Sequence, residues 1–233
     1  MTEAAIRRSN PALPKLLAGA VIVLCLVLVW QLFRVMMADL IAYRAEYAIE
    51  QWQQQKISPP EAELDQSLAD IDSAISWQPE NPELLDVKSQ LMLYRAYGSF
   101  ADSERFKASV FSVLELSRLS VQQRPRWPYS WANLALAKAY LNQNDPEYAA
   151  AMANAARFGP WEPSVQSTLT EAGMVQWGGL DKSLRKTVVD NIYRGLLRNS
   201  VAIKAVVDRH RKRFLVCAYL PVDKQTEKFC LRS

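Results

Sequence analysis

The sequence predicts an all-α protein, with one N-terminal transmembrane helix followed by a series of antiparallel helix pairs, and three observations predict it. Residues 16–33 form a run of eighteen without a charge, just long enough to cross a bilayer as a helix. From residue 61 onward, apolar residues recur at helical spacing in one segment after another. These segments are punctuated by Pro79-Glu-Asn-Pro82, Pro125-Arg-Trp-Pro128 and Pro160-Trp-Glu-Pro163, at intervals of 46 and 35 residues. In each junction the first proline ends one helix and the second opens the next, which makes an internal repeat of the helix–turn–helix kind. A Pro-x-x-Pro motif can also dock in an aromatic groove, but three copies between helical patterns read as turn punctuation.

Residues 1–15 make a short head in which Arg7, Arg8 and Lys15 stand against Glu3 alone. Residues 16–35 follow as the anchor, with Pro11 and Pro14 where a helix would begin and Trp30, Phe33 and Arg34 at its far end, where aromatic rings and a snorkelling cation belong. A cleaved signal peptide is the competing reading; against it, the run exceeds a usual apolar signal region and no clear Ala-x-Ala site follows. The cations before the run put the N-terminus in the cytoplasm and the bulk of the chain outside. Residues 36–60 contain no glycine and no proline before Pro59, and Ile41, Ala45, Ala48 and Trp52 share roughly one face. They predict a helical extension of the anchor and a linker, ended by Ser58-Pro-Pro60.

The helical domain is expected over 61–213. In 61–77, Leu64, Leu68, Ile71 and Ile75 form an amphipathic stripe, with Asp65, Asp70 and Asp72 elsewhere on a solvated face. Helices over 82–97 and 103–123 make a pair, the second capped by Asp102. Helices over 128–141 and 146–158 make the next, ended by Gly159 at a C′ position. A third pair spans 163–177 and 181–198, and 201–213 closes the stack, whose last repeat would otherwise expose its core. Trp131, Leu134, Ala135 and Pro160, in that order and with Ala155 near the small position of a second helix, resemble the tetratricopeptide repeat. Lys138 stands where that pattern usually has an aromatic residue, and the unit between Pro79 and Pro125 is too long for it. The resemblance covers roughly 61–198 and implies a tetratricopeptide-like array.

The chain has 233 residues, 50% of them hydrophobic, which accommodates one membrane segment and one domain with a proper core. A formal charge of +4, spread over many segments, gives no footprint of nucleic-acid binding. One histidine and seven glycines leave no histidine-clustered metal site and no glycine-rich phosphate loop, so no metal, cofactor or small-molecule substrate is expected. Paired carboxylates for acid–base catalysis would need a pocket that the pattern does not indicate.

Residues 214–233 differ in character and predict a short tail, read as a hairpin turning between Asp223 and Lys224 with Cys217 facing Cys230. These are the two cysteines expected outside the cytoplasm, so a disulfide is predicted, with two free buried thiols as the bland alternative. Cys25 lies in the apolar run. Two further sets are candidates for interaction. Arg209, Arg211, Lys212 and Arg213 form the densest basic run, suited to anionic lipid or acidic polysaccharide, or else simply cations at a helix C-terminus. Trp127, Tyr129 and Trp161 sit with Trp131 and Trp177 at the junctions, where rings either anchor a partner or pack between helices.

The basic head, single anchor, repeat body, the run from Arg124 to Ala135 and Gly159-Pro-Trp-Glu-Pro163 together resemble the VpsP-type polysaccharide biosynthesis proteins of Gram-negative bacteria. The resemblance implies an inner-membrane protein, not an enzyme, whose periplasmic domain serves as a scaffold beside membrane proteins of an exopolysaccharide assembly or export system. Two other readings stand beside it: a helper of another membrane complex, in secretion, division or cytochrome maturation, and an enzyme acting on glycans.

Overall fold

The structure, a computed structural model, describes residues 12–55 and 57–231. The cations Arg7 and Arg8, with Pro11, lie outside the described residues. Every regular element among the described residues is helical.

The first helix, α1 (Ala12–Gln55), is 44 residues long and passes through two environments. Its apolar run lies exposed from Leu16 onward. From Ala38 the helix enters the body, burying Ala38, Ala42, Ala45, Ile49 and Trp52 at alternating steps of four and three. That spacing keeps one stripe turned toward a neighbour, and the neighbour is α2 (Glu61–Trp77), which buries Leu64, Leu68, Ile71 and Ala74 against it. The segment read as an extension and linker therefore supplies half of the first helix pair. The Ser58-Pro-Pro60 break separates its two members.

The remaining helices are α3 (Pro82–Gly98), α4 (Ser103–Gln123), α5 (Pro128–Tyr140), α6 (Pro146–Phe158), α7 (Pro163–Val175), α8 (Lys182–Arg198) and α9 (Ser200–Arg209). Asn81, Asp102, Asp145 and Asp181 each accept hydrogen bonds from backbone N–H groups in the first turn that follows them, satisfying donors that a helix leaves open. Successive helices run antiparallel and pack in pairs, while α5 packs on α7 and α7 on α9 along one side. Close approach comes from alanine. In α5 the residues Ala132, Leu134, Ala135, Leu136, Ala137 and Ala139 are all buried. Trp131, the first residue of the tetratricopeptide resemblance, is only half-buried, and its indole N–H donates to the Pro125 carbonyl at 2.9 Å. Gly159 does not take a left-handed C′ conformation, since its φ is −125°. What requires glycine there is space: a Cβ would lie 2.7 Å from that of Pro128.

The tail is not a hairpin. It forms two short helices, α10 (Arg213–Cys217) and α11 (Lys224–Cys230), joined by the Cys217–Cys230 disulfide with Cα atoms 5.9 Å apart. Asp223, read as the hairpin turn, instead accepts from the N–H groups of Gln225 and Thr226, while Thr226 Oγ1 accepts from the Asp223 N–H. This reciprocal capping box starts a helix where a turn was expected. Val216 and Phe229 bury themselves in the main core.

Candidate functional site

A groove of about 630 Å³ runs along α3 and the N-terminal parts of α5 and α7, with α1 as its far wall. Helix α3 contributes Asp86 and Tyr94, the start of α5 contributes Trp127 and Tyr129, and α7 contributes Ser164 and Thr168. Glu46 and Gln53 face in from α1. The Pro125 and Pro128 junction places the aromatic pair. Pro128 is buried at the first turn of α5, which leaves Trp127 just outside the helix at 39% exposure, its ring 5.1 Å from that of Tyr129. Tyr129 donates its hydroxyl to Glu162 at 2.7 Å, across to the next junction.

Glu46, Glu83 and Asp86 line this groove, with no lysine or arginine lining it among the described residues; Arg124 stands at its edge, paired with Glu83 at 3.0 Å and lying over the Trp127 ring. Burial pushes the Asp86 carboxyl above the usual aspartate range, against the pull of the Ser130 hydroxyl, which donates to it at 2.7 Å. Burial also raises Glu46, with a further push from the charges of Glu83 and Asp39. Carboxylates held together under partial desolvation favour a cation in their midst. No group of three histidine, cysteine, aspartate or glutamate side chains among the described residues is arranged to hold a metal.

The residues singled out for interaction divide between the two ends of the helices. Trp127, Tyr129 and Trp161 lie at the junction end, with Trp161 at 49% exposure. The basic run lies at the opposite end and is largely spent on the fold. Arg209 pairs with Glu171, Lys212 donates to the Met174 carbonyl at the end of α7, and Arg213 pairs with Asp208 while lying over the Phe229 ring. Arg211 is exposed in a left-handed conformation with φ 53°. His210 and Glu171 were not expected to matter, yet the His210 ring lies 2.8 Å from the Glu171 carboxylate. Nothing in the local sequence pattern joins two residues 39 positions apart on different helices. No protein-family model, curated protein or solved structure matches this chain.

Proposed function

We propose that this protein is a single-pass, membrane-anchored scaffold with a tetratricopeptide-like domain that holds a basic, extended segment of a partner protein in the groove between α1 and α7. One observation carries the reading: rings of Tyr94, Trp127 and Tyr129 line the same concavity as the carboxylates of Glu46 and Asp86, which form no ion pair among the described residues, and as Glu83, which Arg124 pairs at the groove's edge. Aromatic rings offer rigid contact area at low entropic cost, and arginine and lysine stack on them while pairing with carboxylates. The alternation of α3 to α9, with odd-numbered helices side by side, supports the tetratricopeptide-like arrangement.

The anchor is α1, whose described residues hold one helix apolar and long enough to cross a membrane. Continuity of that helix into the core favours an anchor over a cleaved signal, because the body keeps α1 as a structural member. A periplasmic domain is supported by the Cys217–Cys230 disulfide, which an oxidising compartment sustains, and by the cations at the start of the chain. Exopolysaccharide assembly or export at a bacterial inner membrane is the setting that the sequence resemblance supports.

The test uses the full chain in its own membrane. A photoreactive residue replacing Asn133 in the groove should give a discrete adduct that Asp86→Lys abolishes, and one replacing Lys186 on α8 should give none. Equal adducts at both positions would overturn the groove. Alkaline phosphatase fused after Ser233 should be active if the domain is periplasmic, and loss of matrix polysaccharide in the Asp86→Lys strain is the outcome the exopolysaccharide setting requires.

A further inference from the structure

We infer that the junction end of the helix array is a lipid-facing rim, which lays the domain down on the anionic headgroup surface of the bilayer that α1 enters. The inference rests on the anchor reading above and adds to it a second, peripheral contact with the same membrane.

The geometry starts at Arg34, where the apolar run of α1 ends. Its guanidinium donates to the Trp77 carbonyl through Nε at 3.0 Å and Nη2 at 2.6 Å, and the Phe33 ring meets the Trp77 ring edge-on at 5.8 Å. The C-terminus of α2 is thus fixed beside the point where α1 leaves the body, and Gln78 to Pro82 line one cleft with Gln31 and Arg34. The other junctions follow by direct contacts. Arg124 pairs with Glu83 at 3.0 Å, Tyr129 donates to Glu162, and Asn199 donates to the Pro163 carbonyl at 3.2 Å. Because the helices alternate in direction, all three Pro-x-x-Pro junctions and the α8–α9 turn fall at the end from which the apolar run emerges.

What this end exposes is suited to a headgroup layer. Trp127, Trp161, Leu197 and Val201 are exposed there, and so are Arg126, Arg157 and Arg198, which form no ion pair among the described residues. Of the nearby acids, Glu83 is paired with Arg124 and Glu162 is bonded to Tyr129, leaving Glu80 and, on α1, Asp39 against the three arginines. Tryptophan and arginine interleaved in this way sit at the boundary of acyl chain and headgroup, and arginine adds attraction for anionic lipid. The opposite end carries the internally engaged basic run instead, so it is the rim and not that run which faces the lipid.

Full-length protein in vesicles of phosphatidylcholine with phosphatidylglycerol tests this. Spin labels are placed at Gln123→Cys or Glu162→Cys on the rim and at Ser183→Cys on the far end, each in a Cys25→Ser background, and at native Cys25 as the control for the anchor. Expected is several-fold lower accessibility to an aqueous relaxation agent at the two rim positions than at Ser183→Cys, lost when Arg126, Arg157 and Arg198 are replaced together by glutamine while Cys25 stays shielded. Rim labels as accessible as the far-end label, with Cys25 shielded, would overturn the rim and leave the anchor standing. An accessible Cys25 would remove the anchor reading itself, and the rim with it.

Discussion

Lys138 lies with its side chain only 1% exposed between α5 and α6 and donates to Glu147 Oε2 at 2.7 Å. Asp145 takes the same ammonium at 2.8 Å, and Arg118 reaches Glu147 from α4 at 2.9 and 2.7 Å. The interior between these helices is thus filled by an aliphatic stem whose charge ties α4, α5 and α6 together.

The stem and the charge separate by substitution. Lys138→Ala removes both and should cost about 2–4 kcal/mol, as burial without refilling does. Lys138→Met keeps the stem and should cost less, since the carboxylates it leaves are not stranded in the core: Glu147 keeps Arg118, and both Glu147 and Asp145 reach solvent. Urea unfolding of the full chain in detergent measures both. Equal losses would mean that the charge network, not the packing, holds this corner.

Glu147 also sets an acid limit. Its hydrogen bonds with Arg118, and then those with Lys138, lower its pKa from the ordinary 4.5 to about 2. Between those values the unfolded chain binds a proton that the folded chain does not, so the stability this group contributes is full above 4.5 and is lost as pH falls toward 2. Glu147→Gln should flatten the dependence of the unfolding midpoint on pH in that window. An unchanged slope would locate the acid sensitivity in other carboxylates.

The disulfide closes a separation of 13 residues around α10 and α11. By the chain-entropy estimate it contributes about 3 kcal/mol to the tail. Cys217→Ser with Cys230→Ser should lower the unfolding midpoint and raise hydrogen exchange in 213–231, with α3 to α6 unaffected. Alkylation of intact cells before and after reduction should find both cysteines protected, and three reactive thiols would remove the bond.

The closing helix depends on Glu171, whose side chain is 9% exposed. Its carboxylate takes Arg209 and His210 from the end of α9, and the Tyr140 hydroxyl at 3.1 Å. Burial holds the Tyr140 phenol far above its ordinary range, so it remains a donor. Glu171→Gln should cost about 1.5–3 kcal/mol, the range for hydrogen bonds to a charged group, with faster exchange in α9. Unaltered exchange there would assign the docking of α9 to Ile203, Val206 and Val207 alone.

Helix positions were legible because proline and capping residues act locally: Pro82, Pro128 and Pro163 open α3, α5 and α7, and Asp102 caps α4 as expected. Partnership was less legible. The face read from Ile41, Ala45, Ala48 and Trp52 was turned slightly from the buried stripe, in which Ala42 and Ile49 join Ala45 and Trp52, and nothing in it showed that its partner is α2. The tail misled because Phe214 to Leu220 is apolar enough for a strand, whereas the reciprocal bonds of Asp223 and Thr226 decide the helix. Trp127 and Tyr129 were found through their junction, but the groove depends on Glu46 and Asp86, which come together only once α1 and α3 pack side by side.

A close helix contact that the periodicity did not mark lies at Gly173, in the middle of α7 with no unusual φ. A Cβ added there would meet both methyl carbons of Val188 on α8 at 2.6 Å, closer than carbon atoms tolerate. Alanine is ordinarily the better helix former, by about 1 kcal/mol in an exposed interior position. Here overpacking should outweigh that gain, because α8 is also fixed by the Asn191 amide, which donates to the Gln166 carbonyl at 2.8 Å and cannot follow a displaced helix without breaking the bond. Gly173→Ala should therefore destabilise by about 1–3 kcal/mol. Adding Val188→Ala removes the two methyl groups in question and should recover part of the loss, so that the double variant is more stable than Gly173→Ala alone. Thermal unfolding of the four proteins of this cycle measures the coupling between the two sites. If the two losses simply add, the helices do not meet at Gly173 as described, and the α7–α8 interface must be held at Leu169, Ile192 and Leu196 instead.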